Sequence, residues 1–225
     1  GYVEKRFLKV TLAEVKGISY DESETSAWKP EKGKINMVWE YVYRETQDMS
    51  SIGKIKGVDV LSPTWFEIVD EEGTVANKAD KKYVDWAHKN GYKVWGLVTN
   101  SFDPELTHKV LNSTATREKV IHQLLVYANL YDLDGINIDF ENVYMKDRDM
   151  LTQFVRELTP LFKEQGLIVS IDVTVKSSSE NWSLCYDRKA LGEVVDYMAV
   201  MTYDQHWAAS PVAGSVAQIK WVEKG

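Results

Sequence analysis

The chain has 225 residues, of which 44% are hydrophobic, 12% aromatic and 27% charged, the make-up of a sizeable folded domain and not of a disordered segment. A formal net charge of −7 and the lack of any sustained Lys/Arg run exclude nucleic acid as a partner, since binding a polyanion needs a basic face. No stretch approaches the ~20 apolar residues of a membrane span, so no membrane partner is expected; the single cysteine, Cys185, permits no intrachain disulfide and reads as a buried thiol.

Residues 1–33 end in a polar run, Tyr20 to Pro30, which reads as an arm or linker from a preceding domain. From there to residue 225, short apolar runs alternate with longer amphipathic ones. Strands are predicted over 34–42, 58–66, 93–102, 135–141, 167–175 and 195–204. Helices with apolar spacing of three and four are predicted over 79–89, 116–131 and 147–163. Asn90-Gly91 and Gln165-Gly166 supply stop signals before the strands that follow. This βαβα rhythm is that of a parallel sheet covered by helices. No GxGxxG or GxxxxGK[ST] follows a strand, which counts against a nucleotide-binding open sheet. Asn100, Glu141 and Asp204 fall instead at the carboxyl ends of three different strands, where (β/α) barrels carry function. The predicted fold is therefore α/β, a TIM barrel, cut short after its sixth strand. His88, His108, His122 and His206 are too scattered to form metal-ligand pairs, and no metal or other cofactor is expected.

The most informative segment is Asp134-Gly-Ile-Asn-Ile-Asp-Phe-Glu141. Alternation along a strand places Asn137, Asp139 and Glu141 on one face and Ile136, Ile138 and Phe140 on the other. The apolar face suits packing under helices, so the acidic face points into the barrel. Two acids at i and i+2 in such a place need a chemical reason, because burying a lone charge is costly. Glycoside hydrolysis supplies one: a carboxyl whose pKa is raised by desolvation and a neighbouring carboxylate can protonate a leaving oxygen near neutral pH.

This segment resembles the DxxDxDxE signature of glycoside hydrolase family 18, the chitinase-like barrels, and within it the bacterial spore-cortex and cell-wall N-acetylglucosaminidase branch. Met201-Thr-Tyr-Asp204 is similar to the family's sixth-strand M-x-Y-D motif. The resemblance implies hydrolysis of β-1,4 bonds next to N-acetylglucosamine in peptidoglycan, spore cortex or chitin, by a retaining mechanism in which the substrate's own acetamido oxygen attacks the anomeric carbon. Glu141 would be general acid and then base. Asp139 would orient the acetamido group, Tyr203 would bond its carbonyl, and Asp204 would contact the sugar. The partner implied is an amino-sugar polysaccharide, and the place of action is secreted, or at the cell wall or spore. Oligomeric state is left open.

Two departures stand out. Asn137 occupies the place of the signature's middle aspartate, so Asp139 is expected to stay ionised. The last two barrel strands have no counterpart, nor does the tryptophan that the family's eighth strand places under the cleaved sugar, so an excised piece of a longer protein is expected. Further substrate-binding candidates are Met201, Asn137, Asn100, the inward-facing Asp172 on the fifth strand, read as a supporting carboxylate near Asp139, and two aromatic platforms, Trp65 and Trp207; Trp39 is a weaker candidate of that kind. The competing function is a glycan-binding, lectin-like barrel without catalysis.

Overall fold

A computed structural model describes residues 34–49 and 53–224; the arm expected over 1–33 lies outside the described residues. Six parallel strands form the sheet, in the order β1 (Met37–Glu40), β2 (Val60–Ile68), β4 (Lys93–Thr99), β5 (Gly135–Asp139), β6 (Ile168–Thr174) and β7 (Tyr197–Met201). All six predicted strands are present, each within a few residues of its expected bounds. One short strand was not foreseen: β3 (Val75–Asn77) runs antiparallel to the end of β2. The sheet curls into a half-barrel. Across its concave face Trp39 of β1 hydrogen-bonds Asp172 of β6, and Trp95 of β4 stacks on Tyr197 of β7 with ring centroids 5.5 Å apart.

The helices that cover the convex face are α1 (Lys81–Lys89), α2 (Pro104–Leu111), α3 (Thr114–Tyr131), α4 (Arg148–Glu164) and α5 (Arg188–Gly192), with a last turn α6 at Ile219–Val222. Their starts are written in the sequence. Asp80, Asp103 and Ser113 each accept a hydrogen bond from a first-turn backbone N–H, and Pro104 begins α2; such caps contribute about 1 kcal/mol each. Helix α2 is too short to show a clear apolar period, and it was not predicted. Gly91 and Gly166 sit at positive φ directly after α1 and α4, as their stop signals imply.

Two apolar layers result. Ile136, Ile138, Phe140, Val169, Ile171 and Val173 pack outward against Leu124 of α3 and Phe154, Leu158 and Phe162 of α4, all of them fully buried. At the amino ends of the strands, Val60, Trp95 and Ile168 fill the inside, with Ile35, Met37 and Tyr197 packed against them. Gly135 fits here because a Cβ would lie 2.5 Å from the Ile168 carbonyl and 2.9 Å from the Trp95 ring. A bulge in β2 shapes the other end. Thr64 pairs with Leu97 and Phe66 with Val98, so Trp65 is an extra residue. Trp65 and Phe66 both point outward, to Tyr83 of α1 and Tyr127 of α3, and Glu67 turns inward beside Thr99. Cys185 is fully buried, and burial pushes its thiol up to about 11.

Candidate active site

The carboxyl ends of the strands hold the polar groups. β5 ends at Asp139, two residues earlier than predicted, and Glu141 stands on the loop beyond it. Five non-glycine residues have positive φ among the described residues. Four of them, Ser101, Phe102, Asn142 and Asp204, follow β4, β5 and β7 at this face. Such backbone persists only where the surroundings hold it. Here they do: Asn100, 1% exposed, accepts from the Glu141 N–H at 3.0 Å and donates to the Glu141 carbonyl at 2.8 Å. Its second amide hydrogen goes to Thr107 Oγ1 at 2.8 Å. Tyr186 donates to the Phe140 carbonyl at 2.8 Å, and the Asn142 amide donates to the Phe102 carbonyl at 3.0 Å. Further along the same loop, buried Asp147 takes His108 Nδ1 and the Asn112 amide, each at 2.8 Å.

Glu141 lines a cleft of about 240 Å3 with Thr174, Met201, Tyr203, Asp204, Trp182 and Trp221. Asp139 faces a second cleft of about 350 Å3, with Thr64, Glu67, Lys78, Thr99, Ser101 and Phe102 around it and Tyr41 at its rim. Beneath them Asp172 is buried. Its Oδ2 accepts from Asn137 at 2.6 Å and from Trp39 Nε1 at 3.1 Å, and Ser170 donates to Asn137 Oδ1 at 2.6 Å. The Trp39 ring meets Tyr203 edge-on at 6.2 Å. Oδ1 of Asp139 and Oδ1 of Asp172 are both buried without a hydrogen-bond partner among the described residues.

Burial and mutual repulsion set the charges. Glu141 is pushed up to about 7, first by burial and then by the charges of Asp139 and Asp204. Asp139 also rises to about 7, by burial and by Asp172. Asp172 reaches about 7 through burial, against the hydrogen bonds from Asn137 and Trp39 that favour its anion, with Glu141 raising it further. Tyr203 is raised by burial and by the charges of Asp139, Glu141, Asp172 and Asp204. Burial first, and the Asp172 carboxyl on β6 second, hold Asp139 above the ordinary carboxylate range, against the expectation that it stays ionised.

The structure brings together Glu141, Asp139, Tyr203, Asp204 and Met201. Several substrate-binding candidates lie elsewhere or do other work. Trp65 is fully buried on the outer face, its Nε1 donating to Thr46 Oγ1 at 2.9 Å, so it has no ring face open to a sugar. Trp207 is exposed on the loop after β7 and lines neither cleft. Asn100, Asn137 and Asp172 are too deeply buried to meet a ligand directly; they hold Glu141 and one another. Trp39, Trp182 and Trp221 stand near the acids instead. Composition alone could not choose among eight tryptophans, although the inward parity of Trp39 on β1 was a usable signal.

The family model described as "Glycosyl hydrolases family 18" matches residues 41–224. The chain belongs to glycosyl hydrolase family 18. Among curated proteins, this family 18 chain is 28% identical over 165 residues to the "Uncharacterized glycosylase YvbX" of Bacillus subtilis, covering 68% of the chain and 47% of the relative. It is 30% identical over 121 residues to the Bacillus subtilis "Cortical fragment-lytic enzyme", covering 52% of the chain and 28% of that protein. The solved structure of the Bacillus cereus spore cortex-lytic enzyme SleL matches with a TM-score of 0.68 at 24% identity, over 85% of this chain and 47% of that one, a likeness of fold. The family 18 chain thus spans less than half the length of each of these relatives.

Proposed function

We propose that the protein hydrolyses β-1,4 glycosidic bonds next to N-acetylglucosamine, in peptidoglycan or spore cortex ahead of chitin, with Glu141 as general acid and then base. One observation carries this reading: a carboxyl that opens on a cleft, has its peptide clamped on both sides, and titrates at about 7. A carboxyl raised this far towards neutral pH can both give up a proton and take one back there. In the forward step the Glu141 proton passes to the glycosidic oxygen as the C–O bond breaks. The substrate's acetamido oxygen bonds to the anomeric carbon, and Asp139 balances the positive charge that develops on the acetamido nitrogen. Tyr203 and Asp204, on the same cleft, would hold the acetamido carbonyl and the sugar. Glu141, now ionised, takes a proton from the water that opens the ring intermediate.

Family membership and the cortex-lytic relatives support an amino-sugar polymer as substrate, outside the cytoplasm at the wall or spore. The test is the full protein carrying Glu141→Gln. It should bind an N-acetylglucosamine oligomer with unaltered affinity while turnover falls by about 10³-fold, in the range that loss of a general acid costs. Undiminished turnover would remove Glu141 from the chemistry, and binding without release of reducing ends by the wild type would make the protein a lectin.

A further inference from the structure

The register of β5 and β6 pairs Asn137 with Ser170 and Ile138 with Ile171, which sets Asp139 beside Asp172 on the same inner face. Neighbouring strands are about 4.8 Å apart, so two side chains placed this way are in direct contact range. Asp172 cannot turn away, because Asn137 and Trp39 fix its Oδ2. What remains is one buried oxygen on each acid, Oδ1 of Asp139 and Oδ1 of Asp172, with no donor among the described residues. Two anions in this arrangement would repel with nothing between them, whereas one proton shared between the two oxygens satisfies both.

We propose that Asp139 and Asp172 work as one acid, holding a single proton between their Oδ1 oxygens, and that this proton crosses to Asp172 when substrate binds. In that step the O–H bond on Asp139 breaks and an O–H bond on Asp172 forms. The net charge of the pair stays at one, and Asp139 meets the acetamido group as a carboxylate. Asp172 touches no substrate and acts through Asp139, as a positioning residue. The crossing rests on the glycosidase reading above; the shared proton does not. Other ionisable groups around the pair are Glu141 on the same strand end, Tyr203 and Asp204 after β7, Tyr186, and the Glu67–Lys78 pair across the second cleft. The two cations nearby among the described residues are engaged elsewhere: Lys78, on the same cleft as Asp139, pairs with Glu67 at 3.8 Å, and Arg188 donates to the Thr174 carbonyl at 2.8 Å beside the Tyr186 ring. The rise of both aspartates towards neutral pH agrees with the geometry.

The experiment is an infrared titration of buried carboxylic acids in the full protein, with Glu141→Gln as background so that Glu141 contributes no signal. One acid proton should persist at about pH 6 in that background. It should be lost there in both Glu141→Gln/Asp172→Asn and Glu141→Gln/Asp139→Asn, whose remaining aspartate gains an amide donor and returns towards the ordinary range. If one double variant does not fold, the other decides. Survival of the acid proton in a folded double variant would show that burial alone holds it, and would overturn the sharing. In the otherwise intact enzyme, Asp172→Asn should lower kcat about tenfold with KM within about twofold, and move the pH–rate profile. An unmoved profile would overturn the crossing. A wild-type protein that never releases reducing ends would sink the glycosidase reading and leave the titration to judge the pair.

Discussion

The two ends of the same six strands are built on opposite principles. At the amino ends the inside is filled by Trp95, Tyr197, Val60 and Ile168, with no room for a Cβ on Gly135. At the carboxyl ends the inward positions carry Asp139, Asp172 and Thr99, each with a buried oxygen that no group among the described residues satisfies. One end gains stability by close packing, and the other forgoes stability to keep acids poised. Stability and chemistry should therefore respond separately to substitution at the two ends.

The largest effect is expected at the packed end. Trp95→Ala should cost about 3–5 kcal/mol, read by denaturant unfolding, while turnover per folded molecule changes little. Next comes Asn100→Ala at the acidic end, which frees the Glu141 peptide on both sides. A slack catalytic group of this kind should lower kcat by about 10–100-fold with KM nearly constant; a loss of stability with full kcat would make the clamp merely structural.

A third contrast concerns pH. Asp139 titrates near 4 in the unfolded chain and at about 7 when folded, so between these values the native state binds the more protons. Its burial therefore costs no stability below about pH 4. The penalty grows as pH rises, and is complete above about 7. Asp139→Asn should accordingly be more stable than wild type by about 1–2 kcal/mol at pH 8, with the gap closing towards pH 4 in parallel melts. Wild type gaining on the variant as pH rises would refute the raised pKa. The smallest effects belong to the rim: Trp182→Ala should raise KM by several-fold through lost ring contact, whereas Trp207→Ala should leave KM unchanged.

Legibility divides along the same line. The alternation in Gly135–Asp139 and the three-and-four apolar spacing of α1, α3 and α4 are local, and they expose the strand and those helices directly, whereas the short α2 and α5 show no such period. Glu141, Asp139, Tyr203 and Asp204 were equally readable, because two motifs carry them. Asp172 was legible too, since its inward parity on β6 places a supporting carboxylate near Asp139, where the register sets it. What could not be read was how a side chain of one strand holds the peptide of the next: Asn100 gave no hint that its amide would clamp Glu141. Trp65 was misjudged because nothing local marks it as the extra residue of a bulge. Strand β3 was too short to show a period.

That bulge has a consequence for how the second cleft can change. Because Trp65 is supernumerary, its loss would leave Thr64 opposite Leu97, Phe66 opposite Val98 and Glu67 opposite Thr99, so everything after it in β2 would keep its side. Phe66 would stay against Tyr127 of α3 and Glu67 would stay in the cleft with Asp139, while the ring contact of Trp65 with Tyr83 of α1 would go. A one-codon deletion would thus straighten the strand at the expense of outer packing and leave the acidic groove as it is.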